Sequence, residues 1–274
     1  MPISTVLIAS LLALGACMCA GAADAAPTLV YKCFDRDVNV LYTDQPCPGE
    51  QIEIRAGEPD AAAVAALQKE RDALAKSIEQ RIADDGAALL DHLGIDKAVV
   101  GGCSMGGYAA FAFVRRHPQR LAGLVLQDTR AGADTAEAKA NRATLAAKVL
   151  AEGASAAVEA FLPKLVGETT HRERPAVVAA LRERILATSP QAIANALHGL
   201  AARADSRETL PTIAVPTLVL VGTEDVLTPP PEAVTMAAAI PRARLDVIPG
   251  AGHLANLESP DAVNAVLRAF LARS

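Results

Sequence analysis

Gly102-Cys103-Ser104-Met105-Gly106 follows the apolar run Ala98-Val99-Val100 and opens a helix-like stretch from Tyr108 to His117. A G-x-S-x-G segment between a strand and a helix predicts a sharp strand-to-helix turn with the serine at its apex. The glycines have a physical reason. Such a turn forces the serine into a strained backbone conformation, and side chains at the flanking positions would collide with the adjoining strand and helix. The turn lifts the hydroxyl off the sheet and directs the positive end of the helix toward it.

Two segments further along fit the same chemistry. Pro216-Thr217-Leu218-Val219-Leu220-Val221 reads as a buried strand followed by Gly222-Thr223-Glu224-Asp225. Leu245-Asp246-Val247-Ile248 reads as another, followed by Pro249-Gly250-Ala251-Gly252-His253. A serine hydroxyl is a weak nucleophile; it needs a neutral imidazole to accept its proton and a carboxylate to orient that imidazole. Asp225 and His253 both fall just past strand C-termini, where parallel α/β sheets gather their reactive groups. Asp128, at the end of the strand-like run Leu121–Leu126, competes with Asp225 for the role of acid, and Glu224 reads as a solvated neighbour. Cys103 reads as packing, not as a thiol nucleophile. His92, His117, His171 and His198 read as surface or helix-end residues, and no spacing suggests a metal site or a cofactor.

The order Ser, Asp, His, with Gly-Cys-Ser-Met-Gly-Gly at 102–107, Arg116-His117-Pro118, Gly222-Thr223-Glu224-Asp225 and Gly250-Ala251-Gly252-His253, resembles the α/β-hydrolase family over residues 82–274. The resemblance implies Ser104 as nucleophile, His253 as general base, Asp225 as its orienting acid, and the Met105 N–H as one oxyanion donor. It also implies a helical cap at about 130–210, here with helices expected at Thr135–Glu152, Ser155–Leu162, Pro175–Ala187 and Pro190–Ala202. A serine at the elbow separates this chain from dehalogenase- and epoxide-hydrolase-like relatives, which carry aspartate there. The block looks closest to lactonase, esterase and cofactor-free haloperoxidase-like members.

The family pattern is not complete. It normally places about four strands before the elbow, with a His-Gly-type loop after the third that supplies the second oxyanion N–H. No His-Gly pair precedes Ser104. Loss of one such donor costs about 10²–10³ in rate. The expected fold is therefore an incomplete α/β-hydrolase fold of about four parallel strands with helices and a cap. Its strand at Lys97–Gly101 becomes a bare edge, a surface for homodimer formation unless N-terminal residues cover it.

The front of the chain is of another kind. Residues 4–20 are apolar and are followed by an A-x-A site ending at Ala25, so residues 1–25 read as an export signal too short for a stable membrane span. Leu14-Gly15-Ala16-Cys17 also resembles a lipoprotein cleavage box. Two β-rich runs around Asp35-Arg36-Asp37 predict a hairpin within a small domain at 26–58. In an exported, periplasmic chain Cys33 and Cys47 would pair as a disulfide; in a cytosolic one they would stay free thiols. Tyr31-Lys32, Val40-Leu41-Tyr42-Thr43-Asp44 and Pro46-Cys47 are similar to a family of short bacterial envelope domains of unknown function. Residues 59–81 carry Val64, Leu67, Leu74 and Ile78 at helical spacing and read as a linker helix, with a coiled-coil strand as the other possibility.

Of 274 residues, 51% are hydrophobic and 21% charged, which excludes a disordered chain, and the net charge of −5 argues against nucleic-acid partners. Three readings remain. One is a serine hydrolase acting on a small ester or lactone. Another is a non-catalytic exported envelope protein carrying a hydrolase remnant. The last is a fusion near Arg81–Ile82 with no function as one chain.

Overall fold

The computed structural model describes residues 81–273, together with four strands nearer the N-terminus: β1 (Leu7–Ile8), β2 (Leu29–Phe34), β3 (Val40–Thr43) and β4 (Gln51–Arg55). The chain divides into two units, one of Leu12–Glu70 and one of Met1–Leu11 with Arg71–Ser274. In the smaller unit β2 pairs antiparallel with β3, Tyr31 opposite Thr43 and Phe34 opposite Val40, which closes the expected hairpin. A third strand, β4, pairs with the other side of β2. The Cys33–Cys47 pairing, the export cleavage site and the linker helix at 59–81 lie outside the described residues.

The larger unit begins its described run with helix α1 (81–92). Strand β5 (Ala98–Cys103) leads through Ser104 into α2 (Met105–Arg116), and β6 (Leu121–Gln127) follows. Five helices come next: α3 (Ala136–Glu152), α4 (Ser155–Leu165), α5 (Glu168–Glu173), α6 (Pro175–Leu186) and α7 (Pro190–Ala202). The chain then returns to the sheet with β7 (Thr217–Gly222), α8 (Pro230–Ala239), β8 (Ala243–Ile248), α9 (Ala255–Glu258) and α10 (Pro260–Leu271).

The sheet runs β1-β5-β6-β7-β8, and every neighbouring pair is parallel. Parallel sheets need cover on both faces, which is why their strands are apolar throughout instead of alternating. β7 is buried along its whole length. On one face α1, α2 and α8 pack through Ala83, Leu90, Phe111, Phe113 and Met236; on the other, α10 packs Val263 and Phe270 against Val125 and Leu218. The edge expected at Lys97–Gly101 is not wholly bare. Leu7 and Ile8 lie parallel to Val100 and Gly101 and take up part of that edge, because an apolar strand with unpaired amides accepts any apolar extended segment within reach.

Candidate active site

The reactive groups converge where β5, β7 and β8 end. Ser104 has φ 51° and ψ −113°, a left-handed conformation that the elbow imposes at a cost on the order of 1–3 kcal/mol. The tight return of the chain leaves no room at Gly102, where a Cβ would run into the backbone of Gly106 and Gly107. Two bonds pin the turn to β6: the Ser104 N–H donates to the Gln127 carbonyl at 2.9 Å, and the Thr129 hydroxyl donates to the Ser104 carbonyl at 2.8 Å.

Ser104 Oγ lies 2.7 Å from His253 Nε2, and His253 Nδ1 lies 2.9 Å from Asp225 Oδ2. An ionised carboxylate only accepts, so Nδ1 carries the hydrogen and Nε2 is left to accept from the serine. Asp225 is buried, and burial alone would raise its pKa. The hydrogen bond and charge of His253, with the Thr228 hydroxyl, hold it instead below the usual carboxylate value. Every lone-pair direction is used. Oδ1 accepts the N–H groups of Leu227 and Thr228 at 2.8 and 3.0 Å, and Oδ2 accepts the Thr228 hydroxyl at 2.6 Å as well as the imidazole. Thr228 escaped the sequence reading, although Asp-x-x-Thr after a strand is an Asx-type turn that the spacing could have suggested.

Asp128, the competing acid, is fully buried but bonds elsewhere. Its carboxyl accepts from the N–H of Gly222 at 2.9 Å, from that of Ala255 at 3.3 Å and from Gln127 Nε2 at 3.1 Å. Burial pushes its pKa up to about 7. Burial also drives the Cys103 thiol far above its usual value, with the Asp128 and Asp225 charges adding to the effect, so no thiolate forms beside the elbow. Among the described residues no group of His, Cys, Asp and Glu is placed to hold a metal ion.

Glu224 is not a free solvated side chain. Its carboxylate accepts the Thr169 N–H at 2.9 Å and the Thr169 hydroxyl at 2.6 Å, at the start of α5. Glu258, which the sequence reading passed over, is buried within the same region. One of its oxygens accepts the N–H groups of Gly252 and Leu254, on either side of His253, at 2.9 and 3.1 Å; the other accepts the Gly167 N–H at 2.7 Å. The loops after β7 and β8 are thus each tied by a carboxylate to the same turn of the helical insertion.

Above the serine, the insertion closes over a cavity of about 290 Å³. Its floor is Ser104 and His253; its walls include Phe161, Ile185, Arg130 and Arg142. A serine at a strained elbow, an imidazole and a carboxylate in hydrogen-bonded sequence, and a mostly apolar chamber above them on a parallel sheet define the class: an α/β-fold protein with the geometry of a serine hydrolase. The profile of the α/β-hydrolase fold family matches residues 67–260, and the chain belongs to that family. A relative from Acinetobacter baylyi, 3-oxoadipate enol-lactonase 2, is 29% identical over 195 residues, 70% of each chain. A thermophilic esterase from Thermogutta terrifontis, solved with malate bound, superposes with a TM-score of 0.69 at 46% identity, covering 71% of this chain and 72% of that one. The enol-lactonase from Burkholderia xenovorans superposes with a TM-score of 0.64 at 31% identity, covering 71% and 73%.

Proposed function

We propose that this chain is a serine hydrolase of small esters or lactones. The observation that carries the reading is the continuous contact from Ser104 Oγ through the His253 ring to Asp225, closed at both ends within hydrogen-bond distance. His253 Nε2 takes the hydroxyl proton as Oγ adds to the substrate carbonyl carbon. The carbonyl oxygen becomes an oxyanion facing the first turn of α2, whose Met105 N–H is the donor assigned to it. The tetrahedral adduct collapses, the C–O bond to the alcohol breaks, and the imidazolium returns its proton to the leaving oxygen. Water, deprotonated by the same nitrogen, then releases the acyl group and restores Ser104.

Esterase and enol-lactonase relatives support the substrate class, and the limited volume of the chamber supports a small acyl group. A fluorophosphonate probe tests the reading. We expect covalent labelling of Ser104, and hydrolysis of p-nitrophenyl acetate that falls by at least about 10⁴-fold in Ser104→Ala. Turnover unchanged by that substitution would reject Ser104 as nucleophile.

A further inference from the structure

One carboxylate in this site carries three guanidinium groups. Asp134, its side chain fully buried, accepts hydrogen bonds from Arg130 Nη2 at 2.6 Å and Arg142 Nε at 2.5 Å, and forms an ion pair with Arg203 Nη1 at 2.7 Å. Arg203 is itself buried and does not line the cavity, and its Nε, like that of Arg130, has no hydrogen-bond partner among the described residues. It donates to the carbonyls of Leu200 and Gly132, and its guanidinium lies 4.5 Å above the Tyr108 ring. The other two arginines are different. Both remain about a quarter exposed, at 26% and 21%, and both line the cavity over Ser104.

The charges do not balance. Three cations share one anion, an excess of two positive charges in this cluster, and two of the three cations line the chamber. Guanidiniums stay charged at all working pH values, so the excess cannot be relieved by losing a proton. Burying charge without a counter-charge is costly, and a wall that needed only to be held together would require one arginine on Asp134, not three. Donor capacity is left over as well. Arg130 Nε is buried with no hydrogen-bond partner among the described residues. Arg142 engages Asp134 through Nε, the only hydrogen bond it makes among the described residues, so its Nη donors have no partner among them, and the residue lines the cavity. Asp134 therefore acts less as a partner than as a brace: it fixes two guanidiniums in orientation and cancels only part of their charge.

We infer that Arg130 and Arg142 form an anion subsite, and that the preferred substrate carries a carboxylate a few bonds from its scissile ester or lactone carbonyl. This rests on the hydrolase reading and narrows it. Guanidinium forks match planar carboxylates, and a site partly removed from water strengthens the pairing. The apolar walls then accommodate the short chain between the two ends of the substrate, with the reacting carbonyl at Ser104.

The test compares monoethyl glutarate with ethyl pentanoate, which has nearly the same shape and lacks the second carboxylate. We expect kcat/KM to favour the anion by about 10- to 100-fold, the value of one charge-assisted hydrogen-bonded pair. The preference should be reduced by added salt and should collapse toward one in Arg142→Met. A ratio near one in the unaltered chain, or a preference for ethyl pentanoate, overturns the subsite. A residue with only a structural role would lower both substrates together and leave the ratio where it was, which also overturns it. Failure of the hydrolase reading is kept separate by calorimetry of glutarate binding to Ser104→Ala, which needs no turnover. Saturable binding that Arg142→Met abolishes supports the subsite whether or not esters are cleaved, and absence of binding overturns it.

Discussion

Asp128 lies one strand away from the residue that orients His253, yet its chemistry is the reverse of Asp225. Each is a buried aspartate after a strand, and partners decide between them. Asp225 receives an imidazole, a hydroxyl and two amides, and so stays ionised; Asp128 receives weaker neutral donors, and burial dominates. With its folded pKa near 7 and an ordinary unfolded value of 3.8, Asp128 binds a proton more tightly in the folded chain. The folded state thus gains stability that is fully present below about pH 4 and is lost as pH rises through 7. We expect the urea midpoint to fall between pH 5 and pH 8 by an amount corresponding to a few kcal/mol at most, and Asp128→Asn to flatten that slope. A midpoint that stays level or rises across the interval would contradict the assignment. Strand-end position in the sequence left Asp128 and Asp225 both open as the acid. What separates them is the turn that brings the Thr228 hydroxyl and the Leu227 and Thr228 amides onto one carboxylate, a three-dimensional fact that strand periodicity does not carry.

The elements divide by how their stability arises. Strands β5 to β8 and helices α3, α6 and α7 are legible in the sequence from apolar runs and, for α6 and α7, proline starts, and their observed bounds fall within a residue or two of the expectation. In the structure Thr135 and Ser189 accept the N–H groups of Ala138 and Ala192 and so cap the starts of α3 and α7. Helix α5 was invisible because six residues hold no amphipathic period and a helix that short does not stand alone. It exists because Glu224 and Glu258, 55 and 91 positions from their partners, accept amides at and just before its first turn. Glu258 serves the site through the same carboxylate, since its other oxygen sets the backbone on both sides of His253. Glu258→Gln puts an N–H₂ where an acceptor is needed. We expect a stability loss of about 1–3 kcal/mol and a kcat lower by about 10- to 100-fold with KM much less affected. A full kcat in a folded variant would mean that His253 is held by other means.

For the whole molecule, the open question of the sequence was what covers the edge of a shortened sheet. Leu7 and Ile8 lie along Val100 and Gly101, inside the very segment whose composition reads as an export signal. The two roles exclude each other in a single molecule, because a segment removed at Ala25 cannot remain a strand. Comparing the full chain with one beginning at Ala26 by light scattering measures the value of that cover. We expect the shorter chain to associate at lower concentration, through the freed edge at Val100–Gly101. Equal masses for the two chains at all concentrations would show that two residues of pairing do not protect the edge.

The hydrogen-bonded trio and the chamber above it are drawn from different stretches of polymer. Ser104, Asp225 and His253 sit at strand ends, whereas much of the chamber around them, Arg142, Phe161 and Ile185 included, comes from the insertion at residues 136–202. A segment grafted in its place would have to keep the bonds that hold it to the sheet. Among its ties to the rest of the chain, beside Arg142 on Asp134 and Arg174 on the Glu258 carbonyl, are the amide nitrogens of Gly167 and Thr169. Any donor segment with proline at either place would sever the cord to Glu258 or Glu224, the first of which also holds the backbone on both sides of His253.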